Sequence, residues 1–148
     1  MNDGTTPWLR QHRRQSAPGL PPSVALCRAL QLGDMLCAVS ARRALRAALP
    51  ATRITLVGLP WTTQFASHFA GNIDDFVAFP GYDAFPEQHV QQHKLADFYA
   101  GIRARRFDMA IRLHGSGAQS KFVTRAFSAR TMAGYGDERP GDGEYCIP

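Results

Sequence analysis

Short apolar runs alternate with helix-periodic segments along most of this chain, and few folds satisfy such a pattern. Residues 24–30, Val24-Ala25-Leu26-Cys27-Arg28-Ala29-Leu30, predict a buried strand. Gln31-Leu32-Gly33 reads as a tight connection, and Asp34 opens a helix that runs to about Leu49. Leu36, Val39, Leu45 and Leu49 fall near helical spacing and predict its inner face. Arg42, Arg43 and Arg46 are expected on the outer face, and Pro50 ends the helix. Residues 53–58 predict a second strand, and Pro60 suits the start of a helix reaching residue 70. Residues 75–79 predict a short third strand closed by Pro80-Gly81, followed by a loop over 81–89. A helix over 90–106 has Leu95, Phe98, Tyr99 and Ile102 as its inner stripe. Residues 107–113 give a fourth strand, 118–128 a helix and 131–135 a fifth strand.

Strands that alternate with helices imply an α/β fold: a Rossmann-like open parallel sheet with helices on both faces. With 148 residues there is room for one ordinary domain, placed here at residues 24–135. Residues 1–23 carry Pro18, Pro21 and Pro22 and the basic cluster Arg10, Arg13, Arg14 without apolar periodicity, and are expected to form a disordered basic tail. Residues 136–148 are polar and glycine-rich and are expected to be an irregular tail.

The formal net charge of +5 favours anionic partners without choosing among phosphorylated sugars, acidic glycolipids, nucleic acid or a membrane surface. The run Arg103, Arg105, Arg106 lacks the aromatic interleaving of a nucleic-acid platform, so nucleic acid is not expected as a partner. Cys27 and Cys37 lie in apolar segments, and with Cys146 the thiols number three, without a C-x-x-C pair. That pattern implies a reducing, cytoplasmic setting. Arg13-Arg14 precede the stretch 24–41, but Arg28 and Asp34 interrupt it, so no export signal is expected.

In open parallel sheets ligands bind beyond the carboxyl ends of the strands. Chemistry is therefore sought in the loops that follow them. Asp34 stands after the first strand, at a helix start, where a carboxylate can take a proton from a substrate hydroxyl. The same place suits a helix cap or a first-turn acid stabilised by free amides and the helix dipole. Gly33 permits a tight turn and a close ligand. The dinucleotide fingerprint G-x-G-x-x-G is missing, because residues 31–36 carry one glycine; this argues against an NAD-type cofactor. His114-Gly115-Ser116-Gly117 follows the fourth strand and offers backbone amides to sugar hydroxyls or phosphate, or simply a turn with a capping serine. No G-x-S-x-G elbow accompanies it, which leaves an esterase without support. His89 and His93 are four apart, as ligands on one helical face would be, but no third ligand is evident and no metal is expected.

Residues 28–38, Arg28-Ala29-Leu30-Gln31-Leu32-Gly33-Asp34-Met35-Leu36-Cys37-Ala38, resemble the opening of family 9 glycosyltransferases, the heptosyltransferase type, where a first strand ends in a Leu-Gly-Asp loop. Residues 40–50 resemble the helix that follows, with Ser40 in place of the family's usual proline. Residues 54–61 resemble its second strand, residues 107–117 its fourth-strand segment ending in His-Gly-Ser-Gly, and Gly134-Tyr135 the pair that closes the next strand.

The resemblance spans about residues 24–135. It implies the N-terminal half of a GT-B fold, in which two Rossmann-like domains face each other across a cleft. Such enzymes transfer a sugar, typically a heptose from ADP-heptose, to a lipopolysaccharide core without a metal. By this match Asp34 is the base that deprotonates the acceptor, and Gly33, His114, Gly115 and Ser116 line the cleft. The partners implied are a nucleotide sugar and an anionic glycolipid acceptor, with peripheral contact at the inner membrane face. The donor domain would lie outside these 148 residues, and the chain by itself is expected to be inactive.

Overall fold

A computed structural model describes residues 19–29, 32–68, 71–85, 88–113, 119–135 and, for the backbone, 144–147. The strands are β1 (Ser23–Cys27), β2 (Arg53–Gly58), β3 (Asp75–Ala78), β4 (Met109–Arg112), β5 (Thr131–Tyr135) and β6 (Glu144–Ile147). The helices are α1 (Leu32–Ala48), α2 (Thr62–His68), α3 (Gln92–Ala104) and α4 (Ser120–Arg125). All described pairings are parallel, in the order β3-β2-β1-β4-β5-β6. This is the doubly wound order of Rossmann-like sheets, with the winding reversing between β1 and β4.

The core lies in two layers. On one face Leu26, Ile54 and Leu56 pack with Met35 of α1 and Ala66 of α2. On the other, Ala25, Cys27, Val57 and Ala110 pack with Phe98 and Ile102 of α3 and Val123 of α4. The central strands are buried on both sides, which explains their continuous apolar sequence. Helices therefore cover both faces, as expected.

Three expectations need correction. On α1 the buried residues are Met35, Ala38 and Arg42; Leu45 packs against the core and Leu49 is buried as expected, while Leu36 is 53% exposed. Arg42 is buried, its guanidinium 4.9 Å from the Phe65 ring, and burial pulls its pKa below the usual arginine value. The apolar stem and the stacked planar head let an arginine occupy a core position. Arg46 also turns inward, donating to the carbonyl of Thr52 at 2.8 Å and pairing with Asp74. Finally, residues 136–148 are not wholly irregular, because β6 extends the sheet beyond β5. Strand pairing is a tertiary contact, and a polar segment gives no local sign of it.

The amino edge of the sheet is tied by polar contacts. Ser23 donates its Oγ to Asp108 Oδ2 at 2.8 Å, and the Asp108 amide donates back to Ser23 Oγ at 3.1 Å. Asp74 accepts from the Ile54 amide at 2.8 Å and from Arg46. Asp75 pairs with Arg105 and, at 3.5 Å, with Arg53. Part of the basic run is thus a structural anchor rather than a solvated face.

Candidate active site

The reversal between β1 and β4 opens a crevice at the carboxyl edge, where strands and helices diverge. Arg28 follows β1 at this point. Its amide donates to Val57 at 2.9 Å, which continues the sheet hydrogen bonding by one residue. Its guanidinium reaches across the crevice and donates through Nη1 to the carbonyl of Leu113, just after β4. Through Nη2 it donates to the carbonyl of Asp34 at 3.1 Å and stands 3.7 Å from Asp34 Oδ1. One partly buried cation therefore joins the end of β1, the end of β4 and the start of α1.

Asp34 lies in the first turn of α1 rather than at a cap. Half of the side chain is exposed, so a carboxylate oxygen remains open to solvent or ligand. Gly33 also belongs to the first turn. Its backbone is not left-handed, and an added Cβ would meet nothing within 4 Å. Leu32 and Gly33 are helical, and what glycine supplies is open space beside Asp34.

The neighbouring loops add apolar surface to the same edge. Leu32 and Leu36 flank Asp34 on α1, each 53% exposed. Trp61 follows β2 and Tyr135 ends β5, and both are exposed. Exposed apolar residues gathered on one edge mark a contact surface.

Of the residues expected at the site, the structure brings Gly33 and Asp34 to the switch point. His114, Gly115 and Ser116 lie outside the described residues, as does Gln31. His89 is exposed and precedes α3, whereas His93 is in its first turn. The two do not share a helical face. Among the described residues no group of three His, Cys, Asp or Glu side chains could hold a metal ion. Arg28 was not among the residues expected at this edge. The available signal was a charge placed inside an otherwise apolar strand run, where arginine is rare unless it has a task.

Fold and sheet order define a doubly wound, Rossmann-like α/β domain. The fold is shared with solved structures. The crystal structure of a glycosyl transferase family 9 protein from Veillonella parvula superimposes with a TM-score of 0.61 at 21% identity, covering 76% of this chain and 31% of that one. Heptosyltransferase WaaC from E. coli, solved with ADP, gives a TM-score of 0.58 at 16% identity, over 76% of this chain and 34% of that one. The same enzyme with ADP-2-deoxy-2-fluoro heptose gives 0.59 at 15% identity, over 76% and 36%. The chain thus spans about a third of the length of these structures. No family model matches the sequence, and no curated protein does. Among the described residues no helix is long and apolar enough to cross a membrane.

Proposed function

We propose that this chain is the acceptor-side domain of a heptosyltransferase-type glycosyltransferase. Asp34 is the general base, taking the proton of an acceptor hydroxyl as that oxygen attacks the anomeric carbon of a nucleotide sugar. The bond from that carbon to the diphosphate breaks, and the nucleoside diphosphate leaves. The observation that carries the reading is a half-exposed carboxylate held by Arg28 at the switch point of the sheet. A base must be reachable by substrate and oriented by a neighbour, and Asp34 meets both conditions. Support for the substrate class comes from the solved structures, since WaaC was captured with ADP and with an ADP-sugar. The donor in this reading is ADP-heptose or a similar nucleotide sugar bound by a second domain. The acceptor is an anionic glycolipid such as a lipopolysaccharide core, met at the cytoplasmic face of the inner membrane. His114, Gly115 and Ser116 belong to the acceptor side, contributing hydrogen bonds to sugar hydroxyls.

A second reading is favoured by the exposed rim of Leu32, Leu36, Trp61 and Tyr135. In it the domain binds an acidic glycan or a partner protein through this edge and catalyses nothing.

The chain alone is expected to release no ADP from ADP-heptose in the presence of a core-oligosaccharide acceptor. Joined to the ADP-binding domain of a WaaC-type enzyme it is expected to turn over. Asp34→Asn should then lower kcat by about 10²- to 10⁴-fold with little change in acceptor KM. Turnover that survives Asp34→Asn unchanged would remove Asp34 from the mechanism. Acceptor binding without turnover in the joined protein favours the second reading.

A further inference from the structure

Arg112 is the last residue of β4 and is only 5% exposed. It faces the α3–α4 layer, in register with Cys27 of β1 and Gly134 of β5. Its Nε is buried without a hydrogen-bond partner, and among the described residues its Nη2 makes a single long contact, 3.5 Å, with the carbonyl of Tyr135. No carboxylate lies within ion-pair distance among the described residues, whereas Arg28, Arg46, Arg53 and Arg105 each have one. Cys27 supplies no countercharge, because burial pushes its thiol up to about 12 and keeps it neutral. A buried cation held this way lacks the opposite charge that normally accompanies burial.

The surroundings are shaped around it. A Cβ on Gly134 would stand 2.7 Å from Arg112 Nε and 3.3 Å from Nη2. The absence of a side chain at 134 is therefore what lets the guanidinium lie over β5, where its Nε–Nη2 edge meets no strong acceptor among the described residues. That edge is the one with which arginine grips a carboxylate or phosphate through two parallel hydrogen bonds. It lies at the carboxyl end of its strand, on the ligand edge of the sheet, beside the half-exposed Tyr135.

We propose that Arg112 is an anion-recognition residue of this edge, taking a carboxylate or a phosphate monoester carried by the sugar acceptor. The proposal rests on the reading of this edge as the acceptor side and not on the role of Asp34. It assigns a specificity function to a residue that touches substrate away from the reacting atoms, and gives Gly134 the task of clearing space for it.

The test is a titration of the purified chain, labelled with ¹⁵N, against inorganic phosphate, glucuronate and neutral methyl glucoside at constant ionic strength. The Arg112 Nε–H signal, assigned by its loss in Arg112→Lys, and the amides of Gly134 and Tyr135 are expected to shift saturably with an anion and not with the neutral sugar. Response to phosphate alone identifies a phosphorylated acceptor, and response to glucuronate alone a sugar acid. Arg112→Gln should weaken the apparent affinity by about tenfold or more, and Arg112→Lys, which keeps the charge but loses the planar fork, by a smaller factor. If neither anion moves these signals, or if the folded Arg112→Gln chain binds with unchanged affinity, the proposal is wrong. The wild-type titration decides the matter even where a variant fails to fold. Saturable binding at Arg112 with no turnover by the joined enzyme would leave this proposal standing and overturn the catalytic reading. Turnover lost in Asp34→Asn, with Arg112 silent to both anions, does the reverse.

Discussion

Individual residues at the carboxyl edge differ sharply in what surrounds them, and their chemistry follows. Cys27 is fully enclosed and Cys37 is exposed on α1. Iodoacetamide is expected to modify Cys37 in the native chain and Cys27 only after denaturation, as read by peptide mass spectrometry. The Cys27 thiol is raised from 9.0 to about 12, chiefly by burial. An unfolded chain therefore releases this proton at lower pH than the native one. The stabilisation is intact below pH 9 and is lost as pH rises from there toward about 12. Urea midpoints measured above pH 9 should fall with pH, and Cys27→Ala should flatten that fall. Gly134 gives a second residue-scale prediction. Gly134→Ala drives a methyl group into Arg112 and should cost about 1–3 kcal/mol in denaturant unfolding. An unaltered midpoint would mean that Arg112 moves aside freely.

At the scale of elements, α1 is held at both ends by arginines acting on different strands. Arg28 ties its first turn to β1 and β4, and Arg46 ties its last turn to Asp74, just before β3. Asp74 also accepts the Ile54 amide, so one carboxylate fixes α1, β2 and the approach to β3. Asp74→Ala leaves a partly buried guanidinium and a strand amide short of an acceptor. The expected loss is about 1–3 kcal/mol, visible as a lower melting temperature. Asp74→Asn should recover part of it, because the amide oxygen still accepts. Equal losses in the two variants would show that charge rather than hydrogen bonding carries the contact.

At the scale of the whole molecule, a layer of buried aromatic rings lies beneath α3. Phe98 meets Phe79 with ring centroids 5.3 Å apart and Phe127 at 6.0 Å, both edge-on. Phe79 and Phe127 are fully buried. Edge-to-face rings add to the burial of apolar area, so this cluster joins β3, α3 and the segment after α4. Phe98→Ala should cost about 3–5 kcal/mol, a large share of the roughly 5–15 kcal/mol available to a domain of this size. Calorimetry should find the variant close to unfolding at 37 °C. A small loss would mean that the layer collapses onto the vacated space.

Much of this was legible in the chain itself. The alternation of strands and helices is a local property, written in apolar runs and helical spacing, and it determined the fold class and the bounds of β2 and β5. The stripe of α3 is likewise correct, since Phe98 and Ile102 are its buried residues. Position after the first strand put Asp34 at the ligand edge, because a parallel sheet aligns all its carboxyl ends. The burial of Arg42 on α1, the pairing of β6 and the surroundings of Arg28 and Arg112 were decided only by tertiary structure. An arginine reads as surface from its type, yet its long apolar stem and planar head allow burial wherever a ring, a carbonyl or a strand-end glycine is brought to it. Those neighbours come from distant parts of the chain, and only the assembled sheet sets them side by side.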